Sequence, residues 1–359
     1  ATAFSLLVAN SHFQGVYTDF WAASFGGHTI VQWINDGLMT IFFLLIGLEL
    51  EREIYEGELS DIRNAALPII AAIGGMVIPA SIFILLNHGL PSQSGAGIPM
   101  ATDIAFALGI LSLLGNKVPA SLKVFLTALA VIDDLGAIIV IAIFYTSSIA
   151  MGNLLIAMCI YAFLILLNRL KVCNMIPYLI GGIIMWYFML HSGVHPTITG
   201  VLLAFAIPFG RSIQTSPSYK IQHFLHKPVA FFILPIFAIA NTGIILKNGW
   251  QNSMLEMGNL GIILGLFIGK PLGISLFSFL GVKLKLAKLP QEIKWKNVVG
   301  VGFLGGIGFT MSIFITLLAY PNHEMINQAE IAILIGSIIS AITGLILLKL
   351  MLVKPISEE

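Results

Sequence analysis

The chain has 359 residues, of which 58% are hydrophobic and 10% are charged, and its formal net charge is +1. Soluble domains carry about 25% charged residues, so this composition, with a mean hydropathy of +0.97, excludes them and indicates a polytopic helical membrane protein. The charge balance gives no sign of nucleic-acid binding. The positions of Cys159 and Cys173 indicate neither a disulfide framework nor a thiolate metal site.

Apolar segments long enough to cross a bilayer, which takes about 20 residues, recur along the whole chain. We predict an all-α fold of twelve transmembrane helices in one domain, 1–359, with inverted-topology repeats at about 65–145 and 258–350. The first helix is expected to be truncated. The predicted spans lie near 1–10 (partial), 30–51, 65–86, 99–114, 120–145, 149–167, 175–190, 194–209, 225–247, 258–280, 297–319 and 326–350.

The Lys and Arg residues are segregated between the loops that connect these spans. Of the 18 basic residues, all but two fall on one side of the predicted membrane; Lys247 lies on the other side and Lys270 lies inside a span. Because positively charged loops stay in the cytoplasm, both termini are predicted to be cytoplasmic. A miscounted span would scramble this pattern, so the segregation supports the count of twelve.

The first outer segment, residues 11–29, is rich in aromatic residues and contains Gly26 and Gly27. Its composition is typical of an extramembrane hairpin or interfacial segment, and equally of an aromatic belt at the membrane surface. The span that follows carries Asp36 near its outer end.

Charged and titratable residues cluster at two cytoplasmic helix ends. Glu49, Arg52 and Glu53 share one helical face through their i, i+3, i+4 spacing. They form either a solvated helix end or a proton-collecting, pH-sensing cluster. His223 and His226 stand at i, i+3, and histidine titrates near physiological pH, but two interfacial polar residues without a regulatory role would show the same spacing.

Two of the predicted spans are interrupted near their middle. Non-helical backbone is tolerated at membrane depth only where it is buried in protein or lines a wet cavity, so two such breaks indicate a central site. An interrupted span in each half of a chain also points to a binding site between inverted repeats. The glycines alone would also be explained by close helix packing. The interrupting residues are Pro99, Thr102 and Asp103 in IPMATDIAFALGIL, and Gly302, Gly305, Gly306 and Gly308, before Thr310 and Ser312, in VGFLGGIGFTMSIFI.

The fifth span contains two adjacent acids. From Val124 to Tyr145 the only charged residues are Asp133 and Asp134, which fall near the bilayer midplane. A bare carboxylate there costs at least ~2.5 kcal/mol, so the pair requires a physical reason. Carboxylate oxygens are the ligands that a small hard cation prefers, and the pair predicts a cation site. The alternative is an interfacial turn at IDDLG in which one Asp caps a helix.

Lys270 stands about halfway along the tenth span, next to Pro271. A buried lysine that keeps its charge needs a carboxylate partner, whereas a snorkelling lysine would reach an interface. If the two broken helices cross antiparallel, Asp103 would balance the two positive helix ends and Lys270 the two negative ones.

Burial favours the neutral form of a carboxyl group, so a desolvated acid pair without Na⁺ tends to be protonated. Proton and Na⁺ then compete for the same oxygens. A site that opens alternately to each side would exchange one ion for the other, and two protons for one Na⁺ would move net charge.

Five segments resemble the NhaA-type sodium/proton antiporters of bacterial inner membranes, and the match is collinear over essentially the whole chain. Those antiporters are themselves a known example of inverted repeats. The matching segments are NDGLMTIFFLLIGLELERE at 35–53, ATDIAFALG at 101–109, LTALAVIDDLGAI at 126–138, GKPLGI at 269–274 and GIGFTMSIFI at 306–315.

The resemblance implies that Asp133 and Asp134 ligate Na⁺ or Li⁺, with Asp134 essential and Asp133 able to pair with Lys270. Thr102 and Asp103 match the unwound part of the fourth helix, and we predict that they bind the ion together with the two acids. The resemblance further implies a homodimer joined partly through residues 11–29. It implies that the protein transports Na⁺, Li⁺ and H⁺ without a cofactor, with roles in pH homeostasis and salt tolerance. Asp36 matches a structural acid.

Activation at alkaline pH is a trait of the same family that the resemblance associates with the cytoplasmic cluster. One departure bears on it: Gln222, in IQHFLHKP, stands where the best-known relatives carry an acid. The corresponding residues in this sequence are Glu49, Arg52, Glu53, His223 and His226.

Three rival functions share some of these features. An intramembrane aspartyl protease also needs two buried Asp residues, but they must converge from different helices, whereas neighbours on one helix diverge. A sodium-coupled solute symporter of similar architecture and a cation channel are the remaining alternatives.

Overall fold

The structure is a computed structural model that describes residues 1–146, 149–210, 216–246 and 249–352, except for the side chains of Glu58 and Ile62. Almost all of its regular structure is helical. The helices are α1 (Thr2–Ala9), α2 (Gln14–Ala22), α3 (Ile30–Tyr55), α4 (Ile62–Leu86), a 3₁₀ helix (Pro91–Met100), α5 (Ile104–Ser112), α6 (Ala120–Phe144), α7 (Met151–Arg169), α8 (Ile176–Leu190), α9 (Ile198–Ala206), α10 (Pro217–Asn241), α11 (Trp250–Ser253), α12 (Met257–Lys283), α13 (Trp295–Gly305), α14 (Phe309–Ala319) and α15 (His323–Leu352).

Within the described ranges, seven helices are long and apolar enough to cross a membrane. Two bent pairs raise that number to nine: the 3₁₀ helix with α5, bent by 42°, and α13 with α14, bent by 48°. The remaining three predicted spans correspond to α1, α8 and α9, which have 8, 15 and 9 residues and are shorter than a full crossing. The chain is therefore a multi-pass helical membrane protein, and its described residues contain seven to nine clear spans.

Two predicted helix starts differ from the structure by eight residues. The predicted span 99–114 has the predicted interruption, at residues 101–103, but its helical structure already begins at Pro91. The predicted span 225–247 begins too late, because α10 starts at Pro217 with the side chain of Ser216 at its N-cap. A polar first turn followed by an apolar run escapes hydropathy analysis, although Ser followed by Pro at the first helical position is a sequence signal for a helix start. Residue 247, the predicted end of that span, lies outside the described residues.

One compact unit comprises Ala1–Tyr55 and Ile138–Leu246. Helices α3, α7, α8 and α9 surround its core, which contains Leu48, Leu164, Tyr178 and Met185. The outer segment forms helix α2 and then a hairpin in which Ser24–Phe25 (β1) pairs with His28–Thr29 (β2).

The turn of this hairpin consists of two glycines. Gly26 and Gly27 have φ values of +61° and +89°, which other residues rarely adopt. The hairpin interpretation therefore holds for residues 24–29, while α2 takes up most of the remainder of the predicted segment.

The second compact unit comprises Glu56–Ala137 and Lys247–Glu359. Its helices α4 and α12 pack along much of their length, and Gly74 faces Gly273 at their contact. A Cβ atom at Gly273 would overlap the Gly74 carbonyl oxygen and would lie 2.7 Å from the carbonyl carbon. This close approach fixes the helix that carries Lys270.

We expect Gly273→Ala to destabilise the protein, because the added methyl group meets backbone that cannot rotate away. Overpacking of this kind costs about 1–3 kcal/mol. The thermal unfolding midpoint of the purified protein in detergent should fall accordingly. Gly109→Ala in α5 is the matched control, since nothing lies within 4 Å of a Cβ there. An unchanged midpoint for Gly273→Ala would contradict the close contact.

Candidate ion-binding site

The two helix breaks touch each other inside the second unit. The first break covers residues 101–103 and the second covers residues 306–308. The amide of Asp103 donates to the carbonyl of Ile307 over 2.6 Å, and the Thr102 hydroxyl lies 2.8 Å from the carbonyl oxygen of Gly305. Both side chains are buried. Backbone groups that the breaks release from regular helix thus find partners across the crossing.

Asp103 receives the N-terminal ends of both half-helices. Its Oδ1 accepts a 3.1 Å hydrogen bond from the amide of Phe106 and so caps α5. Its Oδ2 accepts from the amide of Thr310 over 3.1 Å and from the Thr310 hydroxyl, at the start of α14. One negative charge therefore faces two positive helix ends, as the dipoles of antiparallel broken helices require.

The second break is also held by α15, which sequence reasoning did not connect with the site. The hydroxyl oxygen of Ser337 accepts 3.2 Å hydrogen bonds from the amides of Gly308 and Phe309. Ser312 donates to the carbonyl of Ile98 over 2.7 Å. A serine in an otherwise apolar span is a weak sequence signal, because serine also bonds to its own helix.

The acid pair lies on α6, which runs without interruption through Asp133 and Asp134. The alternative of an interfacial turn at IDDLG is therefore wrong. The two carboxylates are 1% and 0% exposed, so neither reaches bulk water from the protein surface. Successive residues on a helix point about 100° apart, and the two side chains face different sides of α6.

Lys270 lies against the first of these acids. Its ammonium group donates to Asp133 Oδ2 and, over 2.8 Å, to the hydroxyl oxygen of Thr102. Thr102 Oγ1 is in turn 2.6 Å from Asp133 Oδ2. Lys270 is fully buried, so the snorkelling alternative is wrong. Within the described part of the chain, the second oxygen of Asp133, Oδ1, has no hydrogen-bond partner.

Asp36 lies in the first unit, where residues 33–38 form a π-helical stretch of α3. Its Oδ1 is 3.5 Å from Nε2 of His195, and Nδ1 of His195 is 2.7 Å from the hydroxyl of Thr197. The sequence analysis did not connect His195 with Asp36. The contact joins two segments far apart in sequence, and no local pattern indicates it.

The cluster of Glu49, Arg52 and Glu53 lies near the end of α3, where Glu49 interacts electrostatically with Arg52 and Glu53. Arg52 forms an ion pair with the adjacent Glu53 at 2.9 Å. The buried acid of this run is Glu51, which accepts a 2.7 Å hydrogen bond from Ser218 on α10 and which the helical spacing did not single out.

On α10 itself, His223 and His226 are exposed, whereas Gln222 is buried. Gln222 follows Ser218 by one helical turn, so it lies on the face of α10 that contacts Glu51.

A further buried acid, Glu330 on α15, was missed by the sequence analysis. It is 4% exposed and forms no ion pair or hydrogen bond with the described residues. The available sequence signal was a single acid directly before the apolar run IAILIG.

Discontinuous helices that cross beside buried carboxylates define a class of membrane protein, the secondary transporters with broken helices. Comparisons with known proteins identify the family. The sequence model of the family described as Na+/H+ antiporter 1 matches residues 1–348. The chain belongs to this family, whose members are transporters and not enzymes, so the protease alternative is excluded.

Curated relatives cover almost the whole chain. The protein named Na(+)/H(+) antiporter NhaA 1 of Flavobacterium johnsoniae is 66% identical over 98% of this chain and 92% of its own length. Na(+)/H(+) antiporter NhaA of Flavobacterium psychrophilum is 63% identical, and that of Cytophaga hutchinsonii is 62% identical; each alignment covers 100% of this chain and 93% of the relative.

We expect strong energetic coupling between Lys270 and Asp133. Removing one partner of a buried ion pair costs about 3–5 kcal/mol, because the remaining charge is left without compensation. Lys270→Met and Asp133→Asn should each lower the free energy of unfolding in detergent, and the double variant should lose clearly less than the sum.

The control for this cycle is Lys123→Met on the same helix as Asp133, where the lysine is exposed. Alone it should change stability little, and combined with Asp133→Asn it should add little to the loss that Asp133→Asn causes by itself. Strictly additive losses for Lys270 and Asp133 would contradict a functional ion pair in the folded protein.

Proposed function

We propose that this antiporter exports Na⁺ or Li⁺ in exchange for H⁺ by alternating access at the buried pair Asp133 and Asp134. The observation that supports this most strongly is the contact of Lys270 and Thr102 with Asp133 at the crossing of two broken helices. The family assignment favours exchange over sodium-coupled symport.

The exchange follows from the scarcity of water at the pair. A carboxylate held away from water is stable only while a cation neutralises it, and three cations can do so: a proton, Na⁺ and the Lys270 ammonium. Lys270 holds the Oδ2 oxygen of Asp133, so Na⁺ must displace it to use that oxygen. Binding of Na⁺ therefore releases positive charge from the site as protons, and release of Na⁺ allows protons to bind again.

Asp134 supplies the second set of oxygens and is the essential ligand in this proposal. Thr102 adds a hydroxyl oxygen next to the pair. Asp103 also belongs to the proposed ion site, and it keeps the crossing intact because both of its oxygens accept hydrogen bonds from the half-helices.

The central test uses inverted membrane vesicles with an imposed acid interior. Added Na⁺ or Li⁺ should dissipate the pH gradient, and K⁺ should not. Asp134→Asn should abolish the effect because it removes a negative charge that only a cation can replace. The matched control is Asp19→Asn, an exposed acid on the outer segment. Normal Na⁺-dependent dissipation in Asp134→Asn would refute the proposed site, and a requirement for an organic solute would favour symport.

We also propose that two protons exchange for one Na⁺, so that each cycle moves one net charge. A potential of 100 mV acts on one charge with about 2.3 kcal/mol, which corresponds to a Na⁺ gradient of about 50-fold. Proteoliposomes at equal pH on both sides should therefore accumulate ²²Na⁺ when a K⁺ diffusion potential is imposed. If the accumulation of ²²Na⁺ does not depend on the membrane potential, the exchange is electroneutral instead.

Activation at alkaline pH is part of the same proposal. The exposed His223 and His226 would sense cytoplasmic pH, and Glu49, Arg52 and Glu53 would respond at the adjoining helix end. The bond between Glu51 and Ser218 supports a link between α3 and α10 within that unit. Gln222 is expected to alter the strength of this response relative to proteins with an acid there.

We propose a topology of twelve helices with inverted repeats at about 65–145 and 258–350. Each of these segments contains a long helix, a broken pair and a second long helix, which is the order expected of two copies of one unit. The proposal includes Asp36 as a structural acid, both termini in the cytoplasm of a bacterial inner membrane, a homodimer joined partly through residues 11–29, and roles in pH homeostasis and salt tolerance.

A further inference from the structure

A pocket of about 180 Å³ lies within the second unit, where the chain leaves α5 and where α15 ends. It is separate from the ion site and from every residue assigned to pH sensing. Its lining residues are Leu113, Leu114, Lys117, Leu345, Lys349 and Leu352.

Two lysines in this pocket have no counter-charge in the described ranges of the chain. Neither Lys117 nor Lys349 forms an ion pair or a side-chain hydrogen bond there, and both are exposed. The remaining lining residues are all leucines. Two positive charges beside apolar walls fit a ligand that is anionic at one end and hydrocarbon at the other end.

Exposed leucines near the pocket provide a surface for the hydrocarbon part of such a ligand. Leu113 and Leu350 are each 72% exposed, and on a membrane-spanning chain such side chains contact acyl chains. Both lysines belong to the basic side of the sequence, at helix ends. Basic pockets between helices on that side of a membrane are the places where anionic headgroups bind.

We propose that this pocket binds an anionic diacyl phospholipid, with its phosphate between Lys117 and Lys349 and an acyl chain along the exposed leucines. The lipid would hold the end of α5 against α15. Helix α5 has Asp103 at its N-cap and is nine residues long, or about 14 Å. Helix α15 carries Ser337, which caps the second break. The lipid would therefore clamp two helices that build the crossing.

Two alternatives to a bound lipid lead to different expected results. Lysines near helix ends can simply offset the helix dipole, and then they stabilise the protein whether or not lipid is present. In the second alternative, residues 353–359, which include Glu358 and Glu359, would occupy the pocket in place of a lipid.

The test is the thermal unfolding midpoint of the full chain in a neutral maltoside detergent, with dioleoylphosphatidylglycerol or dioleoylphosphatidylcholine added. We expect the anionic lipid to raise the midpoint by about 2–5 °C and the zwitterionic lipid to leave it unchanged. Lys117→Gln with Lys349→Gln should lose this increment. The matched pair Lys283→Gln with Lys288→Gln, which also includes a lysine in the last turn of a helix, should keep it.

Several outcomes would overturn the lipid site. An equal increment in the Lys117 and Lys349 variant would place the lipid elsewhere, and an equal increment from inorganic phosphate would show that any anion suffices. A response that appears only after truncation behind Leu352 would assign the pocket to the end of the chain. The experiment measures stability and not transport. The lipid site can therefore be refuted while the proposed ion exchange stands, and the proposed exchange can be refuted while the lipid site stands.

Discussion

The buried ion pair between Lys270 and Asp133 is the interaction on which the rest of the site depends. Each charge taken out of water costs several kcal/mol, and each is tolerated only because its partner lies against it. The pair therefore holds α12 to α6. On α4, Gly74 contacts Gly273 of α12 closely, so α12 cannot move towards α4. In the proposed mechanism, a transported cation must therefore compete with Lys270 for Oδ2 of Asp133.

The crossing of the broken helices is fully built from protein groups. Breaking a helix at membrane depth exposes backbone amides and carbonyls that lipid cannot satisfy. Asp103 and Ser337 accept from the exposed amides, and Thr102 lies at hydrogen-bond distance from an exposed carbonyl. Side chains from separate segments thus replace the hydrogen bonds that continuous helix would make. The candidate ion-binding groups Thr102 and Asp103 are thus held in place and buried at the crossing.

The main elements of this site could be predicted from the sequence, because charge in an apolar segment is a strong and local signal. Asp133, Asp134 and Lys270 stand out for that reason, and Thr102 and Asp103 stand out because Pro99 interrupts the helix before them. Contacts between distant segments could not be predicted. Ser337, Glu51 and His195 acquire partners only through tertiary packing, and their own neighbourhoods in the sequence look ordinary. The early start of α10 was missed because its first turn is polar.

A single side chain, that of Asp103, fastens the beginnings of α5 and α14. Separating those two half-helices would break both hydrogen bonds from Thr310 to this buried carboxylate, while the bond from the amide of Phe106 would stay within α5. The starts of α5 and α14 are therefore held together at Asp103. Movements that open an ion path to either face of the membrane must then take place in the segments that surround these joined helix starts.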